Sequence, residues 1–254
     1  MFIFPMMGIS DRFRRAGYQE PKFMLPLCGE TVFHHVVRSF SNYFDTDEFL
    51  FISPNQVKHT TFIEQVLREL RVHYRLTTLD HPTQGQAQTV ALGLAATGVK
   101  ECEEIYLFNI DTIRPGFTKP QPETVGDAWL EVFHGEGNHW SFILSGQECR
   151  VLRTTEKDRI SDLCSDGLYY FRQKIWFDKA YQNATCTQQT TNGEYYIAPL
   201  YNYLIDQGLC VRYGLIDTEQ VIFCGTPNDY KALLANEPRL AKFLLECSQR
   251  QKST

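Results

Sequence analysis

The sequence predicts an α/β chain in which a mixed, mostly parallel sheet is flanked by helices. Three observations predict it. Short apolar runs alternate with amphipathic segments of helical period through the first half. Those runs are too uniformly apolar for a sheet with one wetted face. At 254 residues the chain can bury a sizeable core.

In chain order, "FIFPM" reads as a buried strand. "ETVFHHVVRSFSNYF" carries Val32, Val36, Val37, Phe40 and Phe44 at helical spacing. "EFLFIS" is a second strand, "VKHTTFIEQVLRELRV" a second helix and "YRLTTL" a third strand. "QAQTVALGLAATGV" is a helix closed by Gly98, and "EEIYLFNID" is a strand ending on Asp111. In the second half "AWLEVFHG", "HWSFILSG", "RVLRTTEK" and "GLYYFR" read as strands with fewer helices between them. "YIAPLYNYLIDQG" is a helix, followed by strands in "LCVRYGLID" and "VIFCG" and by terminal helices in "NDYKALLAN" and "PRLAKFLLECSQR". The pattern is a parallel sheet covered on both faces in the first half, with a mixed continuation of the same sheet in the second. It predicts one domain over 1–254, made of a half 1–115 and a half 116–254, with "RPGFTKPQPETVGD" as the candidate hinge.

Composition excludes several classes. The net charge of −5 argues against a general nucleic-acid binder. No run approaches the ~18 apolar residues of a membrane span, and the first residues lack a signal-peptide pattern. The cysteines at 28, 102, 149, 164, 186, 210, 224 and 247 show no C-x-x-C pair. They read as reduced, mostly buried thiols of a cytoplasmic protein. His34 and His35 are neighbours on a helix and share no face, so they read as packing and surface rather than metal ligands. Tyr195, Tyr196 and Tyr201 read as core.

In open parallel sheets, ligands bind at the carboxyl ends of strands. Three unusual segments fall there. The first is the loop after the first strand. Gly8 lets backbone approach an anion, and Arg12 can bind phosphate oxygens bidentately. Lys22 is a point charge stiffened by Pro21, whereas Arg14 and Arg15 read as a solvated turn. The second is "HPTQGQAQTV", where Gly85 and Gln86 can meet a base edge; Gln84 and Asp80 are further base readers. The third is "NIDT". A polyphosphate beside these cations still needs a divalent ion, and Asp111 is the natural ligand for Mg²⁺.

The order "PMMGISDRF…EPKFMLPLCGETVF", "PTQGQAQTV", "FNIDT", "TTEKDRISDLCSDGLYYF", "NGEYYIAPLYNYLIDQG", "CGTPNDY" resembles the sugar-nucleotide pyrophosphorylases. These are the nucleoside-triphosphate:sugar-1-phosphate nucleotidyltransferases, and the likeness is to their capsule and surface-polysaccharide branch. The resemblance implies the nucleotide-diphospho-sugar transferase fold, Rossmann-like in its first half, and release of pyrophosphate as a nucleoside triphosphate joins a phosphorylated sugar or alcohol. It implies phosphate-holding roles for Arg12 and Lys22, a glycine near the base at Gly85, and a metal ligand at Asp111; Gly8, Ser10 and Gln86 are the further nucleotide-binding candidates read from the loops themselves. Glu156, Lys157, Gly167 and Glu194 then face the acceptor. "GEGNHWSF", with Asn138, His139 and Trp140, either lines that pocket or is a tight hairpin turn. With the charge and hydropathy above, the expectation is no nucleic-acid or membrane partner, and a homo-oligomer is allowed.

Two departures stand out. Ser10 and Asp11 replace a glycine and a threonine of the family's loop, and Phe223 stands where a second metal-binding aspartate is often found. Asp217 and Glu219 share the strand parity of 223, and Asp166 is a further substitute. Two other functions compete with transfer to a sugar phosphate. One is a glycosyltransferase of related fold using a nucleotide-sugar, and the other is a nucleotide- or sugar-phosphate-binding protein without turnover.

Overall fold

The computed structural model describes residues 1–8 and 10–251. The first half contains strands β1 (Phe2–Pro5), β2 (Pro26–Leu27), β3 (Glu30–Thr31), β4 (Phe49–Pro54), β5 (Tyr74–Leu79), β6 (Ile105–Leu107) and β7 (Thr112–Ile113). Its helices are α1 (Asp11–Arg15), α2 (Val32–Arg38), α3 (Val57–Glu69) and α4 (Gln86–Thr97). The second half contains β8 (Ala128–His134), β9 (Ser141–Ser145), β10 (Val151–Glu156), β11 (Leu163–Phe171), β12 (Val211–Leu215) and β13 (Ile222–Phe223). Its helices are α5 (Lys174–Cys186), α6 (Leu200–Asp206), α7 (Pro227–Ala235) and α8 (Glu237–Gln251).

One nine-stranded mixed sheet runs through both halves in the order β10-β9-β11-β6-β1-β4-β5, with β8 joined to β11 and β12 to β8. Strands β6, β1, β4 and β5 are parallel; β11 lies antiparallel to β6, β8 and β9. The alternation of side chains along a strand explains the two core layers. Phe2 and Phe4 enter one layer with Phe33, Phe40 and Phe51 beneath α2 and α3. Ile3 enters the other with Leu50, Ile52 and the α4 residues Val90 and Leu94. The same rule is why β1 and β4 read as continuous apolar runs.

Several expectations shift. The strand in "EEIYLFNID" ends at Leu107, so Asn109 and Asp111 leave the sheet as loop residues. Helix α2 stops at Arg38 and its apolar period continues through a 3-10 turn, Ser41–Tyr43. Helix α6 starts at Leu200, after Pro199, which has no N–H to give to an earlier turn. Strand β11 begins at Leu163, four residues before "GLYYFR".

Helix α5 was absent from the sequence reading. Its buried Phe177, Ala180 and Ala184 have helical spacing, but alanines carry most of the signal. The supposed hinge is strapped down. Phe117 is fully buried, Lys119 binds Asp47 at 2.6 Å, and Arg172 donates to the Gly126 and Pro122 carbonyls.

The thiols are also less buried than expected. Cys164 and Cys224 are buried, Cys28 and Cys210 are intermediate, and Cys102, Cys149 and Cys186 are exposed. The Cys247 side chain lies outside the described residues. His34 and His35 do serve structure. His34 completes the α2 capping box, and His35, buried, contacts the Leu27 carbonyl at 2.9 Å. Among the described residues, no helix is long and apolar enough to cross a membrane.

Candidate active site

A cleft of about 560 Å³ opens at the carboxyl ends of β1 and β6 and reaches across to β10 and β11. Its first wall is the loop after β1. Buried Phe13 anchors α1 and Phe23 anchors the segment after Pro21, so the chain between them is held from both sides. Pro21 is extended, with φ −64° and ψ 150°, and the next residue begins a tight turn. Lys22, between a fixed proline and a buried phenylalanine, has its side chain directed into the cleft. The Lys22 N–H donates to Ser10 Oγ at 3.3 Å, tying the two segments together. Gly8, Ser10 and Arg12 line this wall. Arg14 and Arg15 are exposed. Asp11 pairs with Arg15 at 2.5 Å, so its charge is partly offset within α1.

Asp111 stands opposite. Its Oδ2 accepts from Lys22 Nζ at 2.6 Å. The two side chains are only 20% and 16% exposed, so each is the other's main partner. Gly85 and Gln86 lie beside them at the start of α4. Gly85 has φ +100°, and a Cβ there would come within 2.6 Å of the Tyr195 carbonyl oxygen. Its glycine is therefore required by the 194–196 strap. Gln86 donates to Asn109 Oδ1 at 2.5 Å, which fixes its amide. The other two base-reader candidates do not line the cleft; Asp80 instead accepts from Asn55 at 2.7 Å.

The second wall brings Glu156, Lys157, Gly167 and Glu194 together. Strand β10 ends at Glu156, and Lys157 takes a left-handed φ of +57°. That reversal lets two adjacent residues face one cavity. Glu156 is 9% exposed and accepts from Ser141 Oγ. Burial pushes its carboxyl up, while Ser141 and Lys157 pull it down. Lys157 Nζ bonds the Tyr196 hydroxyl, lies 4.3 Å from that ring's centre and 3.9 Å from Glu156 Oε1. Burial and then Glu194 raise the Tyr196 phenol. Tyr201 is core, but Tyr196 is cleft wall, contrary to the sequence reading.

Asn138 is exposed and does not line the cleft; His139, Trp140 and Ser141 do. The segment thus lines the cleft through its later residues and is no tight hairpin, because β8 and β9 both pair with β11 and not with each other. Asn109 and Tyr196 are cleft residues that sequence reasoning left without a binding role there, and Asp166, named only as a substitute metal ligand, lines it too. For Asn109 the signal was present, directly before Ile110-Asp111.

Phe223 faces Thr112 across the β13–β7 pair, next to Asp111. Its ring packs 4.6 Å from Trp140 and 5.0 Å from Phe133. The position of the second aspartate is thus an aromatic wall. Asp217 and Glu219 do not replace it. Asp217 caps and Glu219 sits within a 3-10 turn, Thr218–Gln220, ahead of β13, and neither lines the cleft. Asp229 does line it, but its Oδ2 already accepts from the Thr226 N–H and hydroxyl. Among the described residues no cluster of three His, Cys, Asp or Glu could hold a metal alone. A lone carboxylate, Asp111, fits an ion such as Mg²⁺ that takes few protein carboxylates.

Family models and curated proteins yield no match to the sequence. Solved structures do. A UDP-glucose pyrophosphorylase complexed with UDP-glucose is 15% identical, covering 94% of this chain and 98% of that one, with a TM-score of 0.73. The inositol-1-phosphate CTP transferase from T. maritima is 15% identical, with 90% and 89% covered and a TM-score of 0.66. Both share the nucleotidyltransferase fold. A nucleoside-diphosphate-sugar pyrophosphorylase from Vibrio cholerae RC9 is 43% identical over 92% of this chain and 100% of that one, with a TM-score of 0.88. The chain belongs to the nucleoside-diphosphate-sugar pyrophosphorylase family.

Proposed function

We propose that this protein joins a nucleoside triphosphate to a phosphorylated sugar, or a related phosphorylated alcohol, releases pyrophosphate, and so supplies an activated precursor for capsule or surface polysaccharide. One observation carries the reading. A single cleft has Arg12, Lys22 and Asp111 on one wall and Glu156, Lys157 and Glu194 on the other. The first set suits a polyphosphate. The second, with two carboxylates and one ammonium, suits the hydroxyls and phosphate of an acceptor. Residues 1–115 then serve the nucleotide and residues 116–254 the acceptor.

An oxygen of the acceptor's phosphate attacks the α-phosphorus as its bond to the bridging oxygen of pyrophosphate breaks. That nucleophile is already anionic, so no general base is needed, and catalysis rests on position and charge neutralisation. Arg12 and Lys22 offset charge developing around the α-phosphorus. Gly8 and Ser10 shape the loop against the phosphates, and Gln86, fixed by Asn109, meets the base. Mg²⁺, held at Asp111 with the triphosphate, would neutralise phosphate oxygens. A triphosphate substrate places the reaction in the cytoplasm.

Pyrophosphate release, measured over a panel of triphosphates against sugar and polyol phosphates, tests this. Release with one pair is expected. Release with none, from a protein that still binds nucleotide, would leave a binding protein without turnover.

A further inference from the structure

Beneath the second wall lies a buried ionic cluster with no role in the scheme above. Strands β8 and β11 pair regularly at Val132↔Ser165 and Leu130↔Tyr169, and the register shifts between them. Glu131 alone therefore opposes three residues, Asp166 to Leu168. This bulge supplies its own hydrogen bonds: the Gly167 N–H donates to Ser165 Oγ at 3.1 Å and the Leu168 N–H to Asp166 Oδ1 at 3.0 Å. Gly167 takes φ +96°, and a Cβ there would lie 2.0 Å from Asn109 Nδ2. The bulge thus presents bare backbone to the cleft.

Asp166, Glu131 and Arg114 are 1%, 4% and 7% exposed. The Arg114 guanidinium bonds both Glu131 oxygens, at 2.5 and 3.3 Å. Asp166 Oδ2, enclosed at the cleft floor, meets no donor. After burial, the Glu131 carboxyl is the group that acts most strongly on it. Two buried carboxylates facing one guanidinium leave one negative charge too many, and one shared proton removes it.

We propose that Asp166 is a positioning residue for the acceptor: as a neutral acid donating to Glu131 above Arg114, it holds the bulge that sets Gly167 in the cleft wall. This rests on the acceptor reading of that wall. Burial, then Glu131, raises the Asp166 carboxyl well above its ordinary range. The other groups around it fit a neutral acid. Tyr169 on β11, which the Asp166 charge acts on, has a phenol raised first by burial and then by Glu156, and its partner Ser141 on β9 is uncharged. His134 at the outer end of β8 is paired with Asp162, and Lys174 on α5 with Asp178. None of them offers Asp166 a cation.

The sign of the pH effect follows. The folded carboxyl titrates above the unfolded value of 3.8. The folded state then holds the extra proton, and stability falls as pH rises from that value through the folded one. Asp166→Asn keeps an oxygen for Leu168 and gives Glu131 a permanent donor. Its melting temperature should rise above wild type by a margin that grows as pH rises above the unfolded value of 3.8, with the acceptor KM kept within about twofold. Asp166→Ala should raise the acceptor KM about tenfold, the loss of one positioned hydrogen-bonded group, and leave the triphosphate KM unchanged. A lower melting temperature for Asp166→Asn near pH 8 would show an ionised Asp166 and overturn the proposal. So would an Asp166→Ala protein with unchanged acceptor KM, or with both KM values raised equally. The melting series needs no substrate, so failure of the enzymatic reading would appear as absent turnover with the melting series intact.

Discussion

Lys22 and Asp111 neutralise one another across the cleft, at 2.6 Å. The proposed function gives each a different ligand, the lysine a phosphate and the aspartate a divalent ion. Neither ligand can take its partner without releasing the other. Binding of the two should therefore be mutually reinforcing, with Mg²⁺ taken up tightly only in the presence of triphosphate. Lys22→Ala should cost about 10²-fold or more in kcat/KM, as for loss of one electrostatic stabiliser. It should change stability by no more than about 1 kcal/mol, since a partly solvated pair contributes little. Calorimetry should find the free Lys22→Ala protein binding Mg²⁺ more tightly than wild type, because Asp111 is released. Asp111→Ala should abolish Mg²⁺-dependent turnover, whereas Asp217→Ala and Glu219→Ala keep most of it. Turnover surviving Asp111→Ala would move the metal elsewhere.

At the scale of the element, the end of β10 decides how two neighbours serve one pocket. Adjacent strand residues point to opposite faces. The left-handed backbone at Lys157 breaks that rule one residue after the strand stops. Glu156→Gln and Lys157→Ala should each raise the acceptor KM, by about tenfold for one lost charged hydrogen bond, and move the triphosphate KM much less. Equal changes in both would contradict the division of the cleft. The bulge in β11 acts similarly, spending regular pairing to bring Gly167 against Asn109.

Across the molecule, one sheet and two core layers join the halves. The three tryptophans, Trp129, Trp140 and Trp176, all belong to the second half, while far-ultraviolet dichroism reads both. The two signals should give coincident unfolding transitions. Phe117, in the strap between the halves, is fully buried. Phe117→Ala should lower that shared transition by about 3–5 kcal/mol, the cost of a large core cavity. Separate transitions for the two probes would show that the halves unfold on their own.

Hydrophobic period alone identified most strands and helices, because burial on one or both faces writes a period of two or 3.6 into the chain. It missed α5, whose buried stripe relies on alanine, and it overran β6, where an apolar run continues into a loop. The order of motifs identified Arg12, Lys22, Asp111, Glu156, Lys157, Gly167 and Glu194 as candidates, and the fold brings all of them to one cleft. Asn138 was the exception, since one residue's shift along an exposed loop decides which side chain turns inward. Tertiary structure alone decided who pairs with whom. The Lys22–Asp111 pair, the Phe223–Trp140 wall and the Arg114–Glu131–Asp166 cluster each join residues far apart in the chain. No local pattern encodes such contacts, because their energies come from burial and charge proximity that exist only once the sheet has formed.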